Sequence, residues 1–272
     1  MRLAGLFVAF LLASLVSRPA AAAPPSLVVN VPGAARLFTA AELLRRRDVA
    51  TLIVPHDVSY RRTMTYRVVP LRALLAPPGR DPADTIEVRA TDGFVAQIPR
   101  RLIDGRAIPW IAIEDPRYPW PHLPGKNASA GPFYLVWQYP DRAGVSPEQW
   151  PYAIAALTEV ASPARRWPAL AVDRSLPPGS PARRGQSIFA ANCLTCHRLG
   201  GSGEGTMGPD LLRPMAVTSY LTDAGLRALI RNPAAVRSWP EQRMPAFDPK
   251  VIGEADLDAL IAYLRHMAAR RR

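Results

Sequence analysis

The decisive stretch of the sequence is Cys193-Leu194-Thr195-Cys196-His197, which contains the only two cysteines among 272 residues. On a helical turn Cys193, Cys196 and His197 stand at positions i, i+3 and i+4, so two thiols and an imidazole share one face. This spacing is typical of c-type haem attachment, in which two thioethers hold the porphyrin and the histidine binds the iron. The pattern predicts one covalently attached haem c.

Two other kinds of site use paired cysteines. A structural zinc site needs four ligands, usually including a second cysteine pair, and the sequence contains no further cysteine. A thioredoxin-like redox pair requires a βαβ pattern around the motif and gives His197 no role. We therefore favour haem over both alternatives, on the condition that the chain leaves the cytoplasm.

The N-terminal stretch meets that condition. Arg2 precedes an apolar run over 3–16, and small residues follow. This order is typical of a secretory signal peptide, with cleavage after Ala22 or Ala23. A membrane-spanning helix needs about 20 residues, and this run is shorter. An uncleaved membrane anchor is the alternative. We predict a signal peptide at 1–23 and an exported, periplasmic protein with no membrane span after cleavage.

The length of the chain indicates its number of domains, and its net charge indicates the kind of partner it binds. A chain of 272 residues predicts two domains, each large enough for its own core. Signal cleavage would lower the formal net charge from +12 to +10. For an exported chain this charge favours an acidic redox partner over nucleic acid, since opposite fields speed the encounter of electron carriers. An anionic membrane surface, or a charge that only maintains solubility, stays open.

Short strands, short helices and turns alternate over 24–162, which predicts an α+β domain with a mixed or mostly antiparallel sheet. Thr39 and Glu42 form a capping-box pattern ahead of a helix over 40–47. Thr91-Asp92-Gly93 has a composition typical of turns, lies between two β-like runs and predicts a hairpin. The other predicted elements are strands over 27–31, 51–54, 65–69, 86–90, 94–98, 110–113, 133–138 and 152–160, and a helix over 70–75.

One set of features in this domain follows a known order, namely Asp92-Gly93-Phe94, Trp110-Ile111-Ala112-Ile113-Glu114, Gly131-Pro132-Phe133-Tyr134-Leu135-Val136 and the strand over 152–160. Over roughly residues 35–162 this order resembles a short form of the molybdopterin-binding domain of the sulfite-oxidase-like family. That family holds molybdenum through a cysteine thiolate, and this domain contains no cysteine. The resemblance implies that this domain has the fold of that family. Because the cysteine ligand is missing, a molybdenum cofactor is not expected.

No reaction can be assigned to the N-terminal domain, because its histidines and carboxylates match no metal or catalytic template. The proline-rich loop over 116–124 cannot form regular ladder hydrogen bonds, and it is either a docking loop or a stiff connector. We predict that the domain docks a partner oxidoreductase and is not itself an enzyme. The alternative is a haem-containing subunit or fusion of a periplasmic oxidoreductase, whose N-terminal domain binds a substrate or a molybdopterin-type cofactor.

Clustered prolines predict an extended, semi-rigid linker over 163–181, followed by an all-α domain over 182–272. Ser180 and Pro181 favour the start of a helix that runs to the cysteine motif, and further helices are predicted over 222–231 and from about residue 253. Gly185 would let the last helix approach closely. Phe189 and Tyr263 would pack where the helices cross, with Phe189 beside the cofactor.

The second axial ligand of the haem iron is predicted to be Met244. It lies in Arg243-Met244-Pro245, where the proline would stiffen a loop that presents sulfur to the iron. The N–H of the other ring nitrogen of His197 is expected to donate a hydrogen bond to the carbonyl oxygen of Pro209. The rival ligands are Met207, Met215, His266 and Met267.

A second resemblance covers roughly residues 180–269. The residues that fall in the order of the class I cytochrome c family are Gly185, Phe189, Cys193, Cys196, His197, Gly208-Pro209, Met244-Pro245 and Tyr263. That family is monohaem, helical and carries electrons with histidine and methionine on the iron. The resemblance implies a cytochrome c fold for 182–272 and one-electron transfer. The only departure is the long segment between Pro209 and Met244.

Overall fold

The structure is a computed structural model that describes residues 25–75, 83–240, 242 and 244–270. Its buried apolar side chains form two clusters, one drawn from residues 27–157 and one from residues 170–267. The predicted signal peptide at 1–23 and Arg243 of the methionine loop lie outside the described residues. No described helix combines the length and the apolar character that a bilayer crossing requires.

The N-terminal region, residues 25–160, is rich in sheet. Its described strands are β1 (Ser26–Val31), β2 (Ala34–Thr39), β3 (Ala50–Val54), β4 (Met64–Pro70), β5 (Thr85–Ala90), β6 (Val95–Pro99), β7 (Ile108–Ile113), β8 (Phe133–Gln138) and β9 (Ile154–Val160). One sheet has the order β2-β1-β9-β5-β6 and is mixed, because β1 and β9 are parallel. The other has the order β3-β4-β7-β8 and is antiparallel. The described residues of this region therefore form two sheets where one was predicted.

Two local predictions in this region are confirmed. Thr39 caps the helix α1 (Ala40–Leu44), and Glu42 completes the capping box by accepting from the Thr39 backbone N–H at 2.7 Å. The turn between β5 and β6 contains Gly93 with φ of +91°, a conformation that favours glycine. There the Asp92 carboxylate accepts from the Phe94 N–H at 3.1 Å, which fixes the hairpin turn.

Two elements differ from the prediction. Strand β2 was missed because its side chains are largely exposed and lack an apolar alternation. The signal for it was the turn at Pro32-Gly33, where Gly33 has φ of +76° and the paired strands meet. The predicted helix over 70–75 is one 3₁₀ turn at Leu71–Ala73, because Pro70 still pairs as the last residue of β4.

The C-terminal region is helical, as predicted. The single helical turn α2 (Arg100–Ile103) still belongs to the N-terminal region. The described helices that follow it are α3 (Pro163–Arg166), α4 (Pro181–Asn192), α5 (Val217–Tyr220), α6 (Asp223–Arg231), α7 (Pro233–Val236) and α8 (Glu254–Ala269). Thr222 caps α6 by accepting from the Gly225 N–H at 3.1 Å. Ser180 stands at the N-cap of α4, but its hydroxyl makes no capping hydrogen bond.

The segment over 163–181 differs from the predicted extended linker. Its prolines begin the helix α3 and a 3₁₀ turn at Pro168–Leu170, and Leu170 and Val172 are buried in the C-terminal core. The Tyr263 hydroxyl donates to the Leu170 carbonyl at 2.7 Å. Apolar side chains between the prolines thus find a packing surface, and the segment is bound to the helices rather than extended.

Helices α4 and α8 cross in direct contact at Gly185. A Cβ on this glycine would overlap the backbone carbonyl oxygen of Ala259 and lie 2.7 Å from the Tyr263 Cβ. One turn further along α4, the Phe189 ring lies 5.4 Å from the Tyr263 ring, centroid to centroid. The crossing therefore depends on the missing side chain at position 185.

Replacing Gly185 with alanine is expected to lower the free energy of unfolding by about 1–3 kcal/mol, because the added methyl group overpacks a contact with backbone atoms that cannot rotate away. The cost of overpacking should exceed the higher helix propensity of alanine, which stabilises a helix by about 1 kcal/mol relative to glycine. Urea unfolding of the haem-loaded protein measures it. Gly179→Ala is the matched control, since nothing lies within 4 Å of a Cβ at that position; equal stabilities of the two variants would contradict the prediction.

Candidate haem-attachment site

The cysteine motif forms a tight turn at the end of α4. The His197 N–H donates to the Cys193 carbonyl at 2.8 Å, and the Cys196 N–H donates to the same oxygen at 3.1 Å. Both cysteines are free thiols and half-buried. The buried side chain of Leu194 joins the C-terminal core. The turn thus holds both thiols and the imidazole within one compact unit.

The His197 ring is oriented by the loop that follows the motif. Its Nδ1 lies 2.8 Å from the Pro209 carbonyl oxygen, which can only accept, so Nδ1 carries the proton and Nε2 keeps its lone pair. A Cβ on Gly208 would overlap the ring at Cε1, so glycine is needed beside the imidazole. Burial lowers the pKa of His197, against the opposite effect of the Pro209 hydrogen bond, and this favours the neutral ring that can bind a metal.

Asp210 fixes this loop, and the sequence analysis did not identify it. Its carboxylate accepts backbone N–H bonds from Gly200 at 2.8 Å, Gly201 at 2.5 Å, Leu212 at 2.8 Å and Arg213 at 3.1 Å. Burial alone would raise the pKa of Asp210, but these donors outweigh it and the pKa is lowered. The ionised carboxylate therefore ties the segment after the motif to the segment that carries Pro209.

Met244 lies half-buried against the C-terminal core. The loop that contains it is anchored three residues later, where the Phe247 N–H donates to the Ile230 carbonyl at 3.0 Å. The Arg231 guanidinium donates to the Phe247 carbonyl at 2.9 Å. Two bonds to the end of α6 thus position the loop that presents the Met244 thioether.

The rival ligands have other surroundings. Met207 and Met215 are 42% and 53% exposed, so neither sulfur is packed into the domain. Met267 is only 4% exposed and packs in the core as part of α8. His266 Nε2 accepts from the Asp173 N–H at 3.1 Å, which occupies its lone pair. The surroundings of Met244 suit an axial ligand better than those of its rivals.

These residues fit a haem c group. Two free thiols stand one turn apart, the histidine beside them has its Nδ1 hydrogen-bonded and its Nε2 available, and a half-buried thioether lies on an anchored loop. Thiols, imidazole and thioether are the donor set of covalent His/Met haem ligation. The helical fold and this set of donor groups are together typical of a c-type cytochrome domain.

Comparison with known families agrees with that class. The family model described as "Cytochrome C oxidase, cbb3-type, subunit III" matches residues 180–264. The C-terminal part of the chain is therefore a cytochrome c domain, which implies a haem c cofactor and electron transfer. No curated protein matches the chain. The matched residues do not include the N-terminal region, and its resemblance to the sulfite-oxidase-like family receives no support.

Two carboxylates of the N-terminal region, Asp57 and Glu114, hold its own structure together. Asp57 is buried and accepts from the Tyr66 hydroxyl at 2.8 Å and from the Tyr60 N–H at 2.8 Å. Glu114 accepts from the Trp120 N–H at 2.7 Å and so shapes the proline-rich loop. Among the described residues, no three histidine, cysteine or carboxylate side chains come together as a metal-binding group.

Four charged side chains connect the two regions beside the haem motif. Glu204 lies in the loop after the motif and pairs with Arg89 of β5 and, at 2.8 Å, with Arg166 of α3. Glu87 also pairs with both arginines, at 3.0 Å with Arg89. This network, Glu87, Arg89, Arg166 and Glu204, fixes the N-terminal sheet against the loop that leads to Pro209.

Replacing Glu204 with glutamine is expected to weaken this junction by about 0.5–1 kcal/mol, the usual range for partly exposed ion pairs. Amide hydrogen exchange should become faster on both sides of the junction, in β5 and in the loop around residue 204. Glu254→Gln is the matched control, because Glu254 pairs with Arg227 and Arg231 inside the cytochrome domain. Unchanged exchange in β5 of the Glu204 variant would show that the network does not couple the regions.

Proposed function

We propose that this protein is an exported, periplasmic c-type cytochrome that carries single electrons through one haem attached at Cys193 and Cys196. The observation that supports this most is the His197–Pro209 hydrogen bond of 2.8 Å, which leaves Nε2 of the motif's histidine as a metal ligand. Signal cleavage and export are part of the proposal, since free thiols must be presented for attachment outside the cytoplasm.

Each residue of the site has a chemical role in the proposal. Cys193 and Cys196 would hold the porphyrin through thioether bonds, while His197 and Met244 would bind the iron. The bound group supplies one-electron chemistry between ferrous and ferric iron. The Met244 thioether favours the ferrous state relative to a second histidine. With His197 and Met244 both holding the iron, no coordination position would be left for a substrate, and the site would serve electron transfer rather than catalysis at iron.

The N-terminal region, in this proposal, docks a partner oxidoreductase through the proline-rich loop over 116–124. Glu114 anchors the loop, and Asp115 pairs with Arg117 at 2.8 Å, so the backbone is held in place. Tyr118 is 74% exposed at its tip. A rigid loop that presents an aromatic side chain loses little conformational entropy on binding, which is typical of a protein contact. The net positive charge of the chain supports a partner with an acidic surface.

Tyr118→Ser tests the docking role. If Tyr118 is a contact residue, its loss should weaken partner binding by about 1–2 kcal/mol, which is roughly 5- to 30-fold. The measured quantity is the rate at which a native periplasmic extract reduces the haem. Tyr139→Ser is the matched control, because Tyr139 is 46% exposed outside this loop. Equal rates for both variants would remove the loop from the docking surface.

A metal analysis of protein from its native host separates this function from the alternative of an oxidoreductase subunit. Iron at one equivalent per chain, with no molybdenum, is the result expected of an electron carrier. Molybdenum in stoichiometric amount would instead assign a cofactor to the N-terminal region, despite its lack of cysteine.

A further inference from the structure

The N-terminal region binds the residue that immediately precedes the haem-attachment turn, residues 193–197. Ser146 donates its hydroxyl hydrogen to the side-chain oxygen of Asn192, and both side chains are buried. The Asn192 amide nitrogen donates to the Ile188 carbonyl oxygen at 3.0 Å, so both ends of this amide are bonded. The Ser146 N–H donates to Gln149 Oε1 at 2.9 Å, which fixes Ser146 in a capping box. The start of the attachment turn is therefore fixed against the N-terminal region.

A second contact holds the loop that follows the attachment turn. Glu204 pairs with Arg89 of β5 and, at 2.8 Å, with Arg166 of α3. The next residue, Gly205, lies directly against the turn, because a Cβ at this position would be 2.7 Å from the His197 backbone nitrogen. The two arginines thus hold the loop at the place where its backbone touches the turn.

The same loop carries the hydrogen-bond acceptor of the His197 ring. The Gly208 N–H donates to the Cys196 carbonyl oxygen at 2.9 Å, which lays the loop along the turn. Pro209 follows, with its carbonyl oxygen 2.8 Å from His197 Nδ1. Asp210 ties the far end of the loop from within the cytochrome domain. The orientation of the imidazole therefore depends on a loop that the N-terminal sheet helps to hold.

We propose that the N-terminal region holds the attachment turn from both flanks, with Ser146 and Glu204 as positioning residues that keep the His197 Nδ1–H on the Pro209 carbonyl oxygen. This inference rests on the proposed function, since His197 must bind the haem iron for its orientation to affect electron transfer. A hydrogen bond from Nδ1 makes a ligating histidine more basic. A more basic ligand stabilises ferric iron more than ferrous iron, so the two flank contacts favour the ferric state of a bound haem.

The test measures the solvent exchange of the His197 Nδ1–H by NMR in the ferrous, haem-loaded, full-length protein, together with a redox titration. The variants are Ser146→Ala, Glu204→Gln and the double variant. Each single substitution should speed the exchange by roughly two- to thirtyfold, the range in which residues between two sites alter their coupling, and the double variant should show the larger change. The ferrous-to-ferric ratio at a fixed potential should rise in parallel. Ser146→Ala removes no charge, so its effect cannot come from a lost Coulomb interaction.

Ser175→Ala and Glu254→Gln are the matched controls. The Ser175 hydroxyl donates to Asp173 at 2.8 Å within its own segment, and Glu254 pairs with Arg227 and Arg231 inside the cytochrome domain. Both controls should leave the exchange of the His197 Nδ1–H unchanged. In the positioning variants the backbone amides of α8 should exchange as in the wild type, which separates a local effect from a general loss of stability.

Unaltered exchange of the His197 Nδ1–H in the double variant, with the low-spin c-type spectrum intact, would overturn the inference, as would equal acceleration in the controls. A ratio that shifts only in the Glu204 variant, without faster exchange, would reveal a charge effect and would also overturn it. A wild-type protein that binds no haem would instead refute the proposed function, so the two failures are distinguishable.

Discussion

Replacement of Met244 with alanine is expected to remove the sulfur ligand from the haem iron and leave the porphyrin attached. The ferric protein should lose the sulfur-to-iron charge-transfer band and acquire a water-ligated or high-spin spectrum. Because a thioether stabilises ferrous iron, the reduction potential should fall, by more than about 59 mV, which is a tenfold change for a one-electron couple.

The rival residues provide the controls for this result. Met207→Ala and Met215→Ala change exposed side chains and should leave the spectrum and the potential unchanged. Met267→Ala should reduce stability by about 2–5 kcal/mol, since it removes a buried side chain from α8, without changing the ligation. A Met244 variant that keeps the sulfur band, or a Met207 variant that loses it, would contradict the assignment.

The double replacement Cys193→Ala and Cys196→Ala is expected to abolish covalent haem attachment completely, because these are the only cysteines in the chain. Each single variant should retain one thioether and therefore some covalently bound haem. Mass measurement of the denatured protein gives the result, since only covalent haem survives denaturation. Haem that remains bound to the denatured double variant would disprove the attachment site.

Much of the cytochrome domain follows from local sequence pattern. The spacing of Cys193, Cys196 and His197 defines a turn within five residues, and the structure forms that turn at the end of a helix that begins at the predicted proline. Gly185 and Tyr263 meet at the predicted crossing of α4 and α8. Such features depend on helical periodicity, and therefore a single sequence can reveal them.

The contacts between the two regions could not be predicted in this way. Arg89 and Glu204 are 115 positions apart, and Ser146 and Asn192 are 46 apart. The spacing of such residues in the sequence does not indicate that they pair, because only the packing of the folded chain brings them together. The same applies to the segment over 163–181, where proline content predicted an extended chain while the burial of Leu170 depends on helices elsewhere in the sequence.

In the N-terminal region, the strands could be predicted from the sequence but their pairing could not. Its strands and its hairpin turn were largely visible in the alternation of side chains, but the division into two sheets depends on which strands pair. The parallel contact of β1 with β9 joins the two ends of the region, and no local pattern specifies it.

The most direct test of the account is the reduced-minus-oxidised absorption spectrum of the full-length protein, made with the predicted signal peptide at 1–23 in a host that attaches haem c in the periplasm. The account predicts a low-spin c-type spectrum, one haem per chain and haem that stays with the denatured polypeptide. A protein that is exported and folded but shows no covalently bound haem would contradict it.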